Sequence, residues 1–135
     1  MSETNLVLVK CFFEDRNQRD IQRYLGFFHR DAEIDSSELE RPYAGIHRGH
    51  EQIESLFHVK NDPWQWVQYD TSGPLAVGDD RVIIDVRRTA RVRPEGFGVW
   101  SAATAYITIQ TGKIARYKLF PSRAQALRAA GVTAE

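Results

Sequence analysis

Helical spacing opens the chain. Leu6, Val9, Phe12 and Phe13 recur at intervals of three and four, which puts apolar side chains on one side of a helix. Asp20 stands where a cap belongs, ahead of Ile21, Tyr24, Leu25 and Phe28, so a second helix is expected soon after the first. Asp31 to Asp35 predicts a short strand. A polar stretch with Pro42 and Gly45 then breaks the pattern, and a third helix is expected around Gly49 to Phe57, with Ile53, Leu56 and Phe57 on one face. From Trp64 onward the period changes to two. Strands are expected over Trp64 to Tyr69, Arg81 to Val92, Phe97 to Ile109 and Lys113 to Phe120. Their separators, Gly78-Asp79-Asp80, Pro94-Glu95-Gly96 and Thr111-Gly112, are short turns that produce an antiparallel meander. Ser122 to Gln125 reads as a capping box that opens a short helix ended by Gly131.

Helices grouped early and strands grouped late predict an α+β domain in which the helices cover one face of a sheet and leave a pocket. The strand from Arg81 shows which residues face inward. Val82, Ile84, Val86, Ala90 and Val92 are apolar at even positions, while Arg81, Asp85, Arg87, Thr89 and Arg91 are polar. Arg88 breaks the rule as a charge on the apolar face. No repeat, linker or low-complexity stretch divides the chain, so residues 1–135 are expected to form one domain around one core.

Composition narrows the partners. Eighteen basic and eighteen acidic side chains cancel, which gives no field to draw the protein to phosphate backbones or anionic lipid. No apolar run approaches the length of a membrane span. A lone Cys11 among apolar helix residues is expected to be a buried, inert thiol, and the lack of a secretory pattern points to the cytoplasm. No phosphate loop, dinucleotide fingerprint, serine elbow or paired Cys-x-x-Cys is present, so no cofactor is expected. His50, Glu54 and His58 share one helix side, but an exposed polar face explains them better than a metal site, which needs converging ligands.

Several strings in order resemble the SnoaL-like polyketide cyclases and ketosteroid-isomerase-related proteins of the nuclear-transport-factor-2-like superfamily. They are Phe28-His-Arg-Asp-Ala-Glu-Ile-Asp35, Tyr43-Ala-Gly-Ile-His-Arg-Gly-His-Glu-Gln-Ile53, Val77-Gly-Asp-Asp-Arg-Val82, Thr111-Gly-Lys-Ile114, and the segment from Ser122 to Gly131. The resemblance implies a conical sheet, the cystatin-like α+β roll, with a pocket between sheet and helices. It also implies a homodimer joined through the outer sheet face. The isomerase base maps to Asp35, or to Ser36 if no gap is allowed. The family's hydrogen-bonding tyrosine falls near Phe12 and its second acid at Thr104. The Arg-x-Asp pair of the limonene-epoxide hydrolases matches Arg88 but meets Ala90, and their final-strand aspartate meets Leu119.

The resulting expectation is a pocket for a small, apolar or aromatic, oxygenated ligand. Asp35 would be the base and Arg88 the anion stabiliser of an isomerisation, cyclisation or dehydration. An Asp35–Arg88 ion pair is the structural alternative. Phe12, Tyr43, Trp66, Trp100, Thr104, Tyr117 and Leu119 are the expected lining, with Trp66 and Trp100 assigned inward by their even numbers. Two other functions compete: a binding module without turnover, and an interaction domain whose pocket is vestigial.

Overall fold

The computed structural model describes residues 2–39, 45–92 and 97–132. Tyr43, Pro42 and the turn expected at Pro94-Glu95-Gly96 lie outside them. The first helix, α1 (Ser2–Arg16), is followed by α2 (Ile21–Gly26), whose N-cap is Asp20: its side chain accepts from the backbone N–H groups of Gln22 and Arg23. That satisfies two donors the helix start would otherwise orphan. The helix is shorter than expected, because Phe28 opens a strand, β1 (Phe28–Asp35), instead of closing a helical turn. A short strand absent from the sequence expectation, β2 (Ile46–Arg48), precedes α3 (Gly49–Asn61), which runs one turn past Phe57.

Four long strands follow: β3 (Trp66–Val77), β4 (Arg81–Arg91), β5 (Gly98–Gln110) and β6 (Lys113–Phe120). Thr111 and Gly112 both adopt positive φ, 48° and 77°, between the last two. Successive positive φ values suit the twist of a two-residue hairpin. The chain's last described helix, α4 (Arg123–Ala129), is capped by Ser122, which accepts from Gln125 N.

The six strands form one curved sheet in the order β2-β1-β6-β5-β4-β3. The meander from β3 to β6 is antiparallel, and β1 adds to it in parallel beside β6. Helices α1 to α3 cover the inner face, burying Val9, Phe12, Phe13, Ile53, Leu56 and Phe57 against Val82, Ile84, Val86, Ala105, Ile107 and Leu119. A second, smaller cluster forms on the opposite face, where Ala126 and Ala130 of the α4 region meet Ile83 and Phe120. The sheet therefore has apolar packing on both sides, rather than the single core the sequence predicts. Among the described residues no helix is long and apolar enough to cross a membrane.

Edge strand β3 is held by a side chain that mimics a strand neighbour. Asn17 Nδ2 donates to Tyr69 O at 3.0 Å, and Tyr69 N donates to Asn17 Oδ1 at 2.7 Å. Arg19 then ties the α1–α2 turn to the end of α3 by donating to the carbonyls of Asn61, Trp64 and Gln65. A guanidinium there also complements the negative end of the helix dipole.

Candidate functional site

The cross-strand register fixes which residues look into the cone. Antiparallel partners pair odd with even: Tyr69 faces Arg88, and Arg88 faces Ser101. Inward residues are therefore even on β4 but odd on β5, on β3 before its register shift after Ser72, and on β6 from Arg116 onward. This places Tyr69, Arg88 and Ser101 in one row across the inner face. It also overturns the expectation for the tryptophans. Trp66 and Trp100, being even, face outward; Trp100 is 63% exposed with the Arg87 guanidinium carbon 4.5 Å from its ring centroid, and Arg91 lies 5.2 Å from the Trp66 ring. Thr104 also faces outward, where its hydroxyl donates to Asp85 Oδ1 at 2.9 Å.

Between the sheet and the helices lies a cavity of about 60 Å³, open to one side. Leu39, Leu56, Val86 and Leu119 supply apolar wall, and Phe12, Phe13, Tyr24, Phe57 and Tyr117 supply rings. Phe12 sits at the centre of the aromatic cluster, with Tyr24 stacked at 5.4 Å and Phe28 edge-on at 5.5 Å. Phe12, Tyr117 and Leu119 line the cavity; Tyr43 is outside the described residues.

Asp35 does not reach this space. It pairs with Lys118 in the sheet register and shares that residue's outward side. Ser37 donates both its N–H (3.0 Å) and its hydroxyl (2.6 Å) to Asp35 Oδ1, while Arg116 Nη2 lies 3.1 Å from Oδ2. Burial pushes this carboxyl up, but the Ser37 bonds and the charges of Lys118 and Arg116 outweigh burial and hold its pKa below the ordinary value. Neither the catalytic pair nor the Asp35–Arg88 ion pair exists, because the two residues lie on opposite faces. Ser36 is buried in the turn after β1, where its N–H bonds Gly45 O, and it does not line the cavity.

Arg88 does line it. Its Nη2 donates to the Lys60 carbonyl at the end of α3, and its buried Nε has no hydrogen-bond partner. Beside it is a residue that sequence reasoning missed. Arg16, only 4% exposed, places its guanidinium carbon 4.8, 4.5 and 4.6 Å from the ring centroids of Tyr24, Phe57 and Tyr69. Its nitrogens donate to Asn61 Oδ1 (3.3 Å) and to the Tyr69 hydroxyl (3.0 Å). Desolvated cation–π contacts of this kind contribute about 2 kcal/mol or more. The signal was present: position 16 continues the spacing of Val9, Phe12 and Phe13.

These cations set the phenols apart. Burial raises Tyr24 to about 12 and Tyr117 well above the ordinary tyrosine value. Burial pushes Tyr69 up too, yet the charges of Arg16, Lys60 and Arg88 outweigh it and bring Tyr69 below that value. Among the described phenols of the cavity, Tyr69 is the one tuned towards giving up its proton.

Other candidates resolve simply. His50 Nε2 lies 3.1 Å from Phe28 O, and His58 sits between Glu54 (3.7 Å) and Asp62 (3.3 Å). Among the described residues no group of three or more His, Cys, Asp or Glu side chains is placed to hold a metal ion. Cys11 is exposed rather than buried, since the face set by Val9, Phe12 and Arg16 turns position 11 away from the sheet.

A conical α+β roll with a polar row inside an apolar cavity defines a small-molecule pocket protein. Residues 9–117 match the SnoaL-like domain, and the chain belongs to that family. Solved structures share the fold. An NTF2-like protein from Anabaena variabilis superposes with a TM-score of 0.72 at 15% identity, covering 88% of this chain and 90% of its own. SalBIII, an epoxide hydrolase/cyclase-like enzyme of pyran ring formation in the polyether salinomycin, gives 0.74 at 17% identity, covering 90% and 93%. TerC, co-crystallised with polyporic acid, gives 0.72 at 17% identity, covering 95% and 98%. No curated protein matches the sequence.

Proposed function

We propose that this chain takes a small, largely apolar, oxygenated molecule into the cone and moves a proton on it, in an isomerisation, cyclisation or dehydration. The observation that carries this reading is the row of Tyr69, Arg88 and Ser101 on an otherwise apolar inner face. Arg88 stabilises negative charge on a substrate oxygen through its guanidinium. Tyr69 carries the proton, because neighbouring guanidiniums favour its phenolate. The cyclase-like chemistry named for SalBIII supports the class of reaction. Asp35 has no part in it.

Native mass spectrometry of freshly purified protein tests the reading. The expected result is a bound small molecule that Arg88→Met fails to retain, and that wild-type protein, but not Tyr69→Phe, converts to a product of altered mass or retention. Retention of the same adduct by Arg88→Met would contradict it.

A binding module without turnover is the second reading, favoured by the lack of any carboxylate among the described lining residues. It predicts the adduct and no conversion. We also infer a homodimer through the outer sheet face, where Trp100 is exposed, with light scattering of the eluted protein as its check.

A further inference from the structure

Two guanidiniums, those of Arg16 and Arg88, line the cavity, and no aspartate or glutamate among the described residues does. Withdrawing a charge from water is costly unless an opposite charge or a full set of hydrogen bonds comes with it. Arg16 answers part of that cost with three rings and two neutral acceptors, Asn61 and Tyr69. Neutral partners satisfy its donors without cancelling its charge. Arg88 spends one donor on a backbone carbonyl, again neutral, and keeps a buried Nε without an acceptor. The charges of Arg16 and Arg88 also reach the Tyr69 phenol, whose pKa they lower.

We propose that the ligand supplies the missing charge: the pocket selects a compact organic anion, with a flat apolar body and a carboxylate or ionised enol or phenol oxygen seated against Arg88. The body packs on Phe12, Tyr117 and Leu119, and the acidic oxygen accepts from the Arg88 guanidinium. A guanidinium suits such an oxygen because its planar donors match it and it stays charged at any working pH. This rests on the small-molecule reading above and adds the sign of the ligand's charge.

Isothermal titration with 2-naphthoate and its uncharged isostere 2-naphthamide, repeated with benzoate and benzamide, separates the two ideas. The acid of each pair is expected to bind at least tenfold more tightly than the amide. Arg88→Met should reduce that preference below threefold, Arg88→Lys should keep most of it, and Arg116→Met on the outer face should keep all of it. Acid and amide binding equally well would overturn the charge proposal and leave the pocket reading standing. Binding of neither would sink both. An acid preference unchanged in an Arg88→Met/Lys60→Met double variant that melts like wild type would place the anion elsewhere, and the proposal would be wrong.

Discussion

On the outer side of the sheet, Glu33 lies 2.6 Å from Arg48 and 3.2 Å from Arg116, Asp35 lies 3.1 Å from Arg116, and Lys118 lies between Asp35 and Glu38. Asp85 and Arg123 form another outward pair at 3.3 Å. On the inner side, Arg16 and Arg88 meet rings, a hydroxyl, an amide and a carbonyl, and no carboxylate among the described residues. Outer acids and bases thus pair with one another, whereas Arg16 and Arg88 inside meet no carboxylate among the described residues. Paired charges hold strands together; unpaired ones in an apolar cavity are a cost to folding that a ligand can offset. On this contrast the outer acids are structural, and the proposed binding role falls to Arg16 and Arg88.

The most disruptive way to break this contrast is at the rings. Phe12→Ala removes the centre of the aromatic cluster and is expected to lower stability by about 3–5 kcal/mol, measured by urea denaturation. Next comes the outer carboxylate. Asp35→Asn should cost about 1.5–3 kcal/mol at neutral pH, because the bonds from Ser37 and Arg116 lose their charge assistance. The sign of the pH dependence follows from the lowered pKa of Asp35. Its contribution is complete above the ordinary aspartate pKa of about 3.9 and is lost as pH falls through the lower folded value, so wild type and variant should converge in acid. Ligand binding should be unchanged in Asp35→Asn; a loss would return this residue to the site.

Arg16→Met, by contrast, is expected to change stability by less than about 1 kcal/mol, since removing a buried unneutralised charge offsets the lost ring contacts. It should still weaken ligand binding. A large loss of stability with binding intact would make Arg16 a structural residue. Smallest of all, Trp100→Ser should alter monomer stability by no more than about 0.5 kcal/mol and should weaken the dimer by light scattering.

Much of this was legible in the residue pattern. The caps at Asp20 and Ser122, the Thr111-Gly112 turn and the meander follow from local chemistry, and Arg88 was visible as the one charge on an apolar face. The tryptophans and Thr104 were misplaced because alternation fixes the faces within a strand but not between strands. Only the register does that, and here it pairs odd with even. Asp35 illustrates the same limit: it sits at the end of a strand whose neighbour Ile34 does enter the cavity, one residue away and on the other face. Strand β2 was too short to show a period, and Tyr69 gained its role from α1 and β4, neither of which is near it in sequence.

The claim that Arg16 and Arg88 set the charge felt inside the cavity can be read directly from its phenols. In protein carrying carbon-13 at the tyrosine ζ position, Tyr69 should lose its proton below the ordinary tyrosine pKa of about 10. Tyr24 should follow near 12, and Tyr117 well above the ordinary tyrosine value. Arg16→Met should move Tyr69 upward. If Tyr69 instead titrates with Tyr24, and Arg16→Met leaves it in place, the cavity carries no such field and the anion site loses its basis.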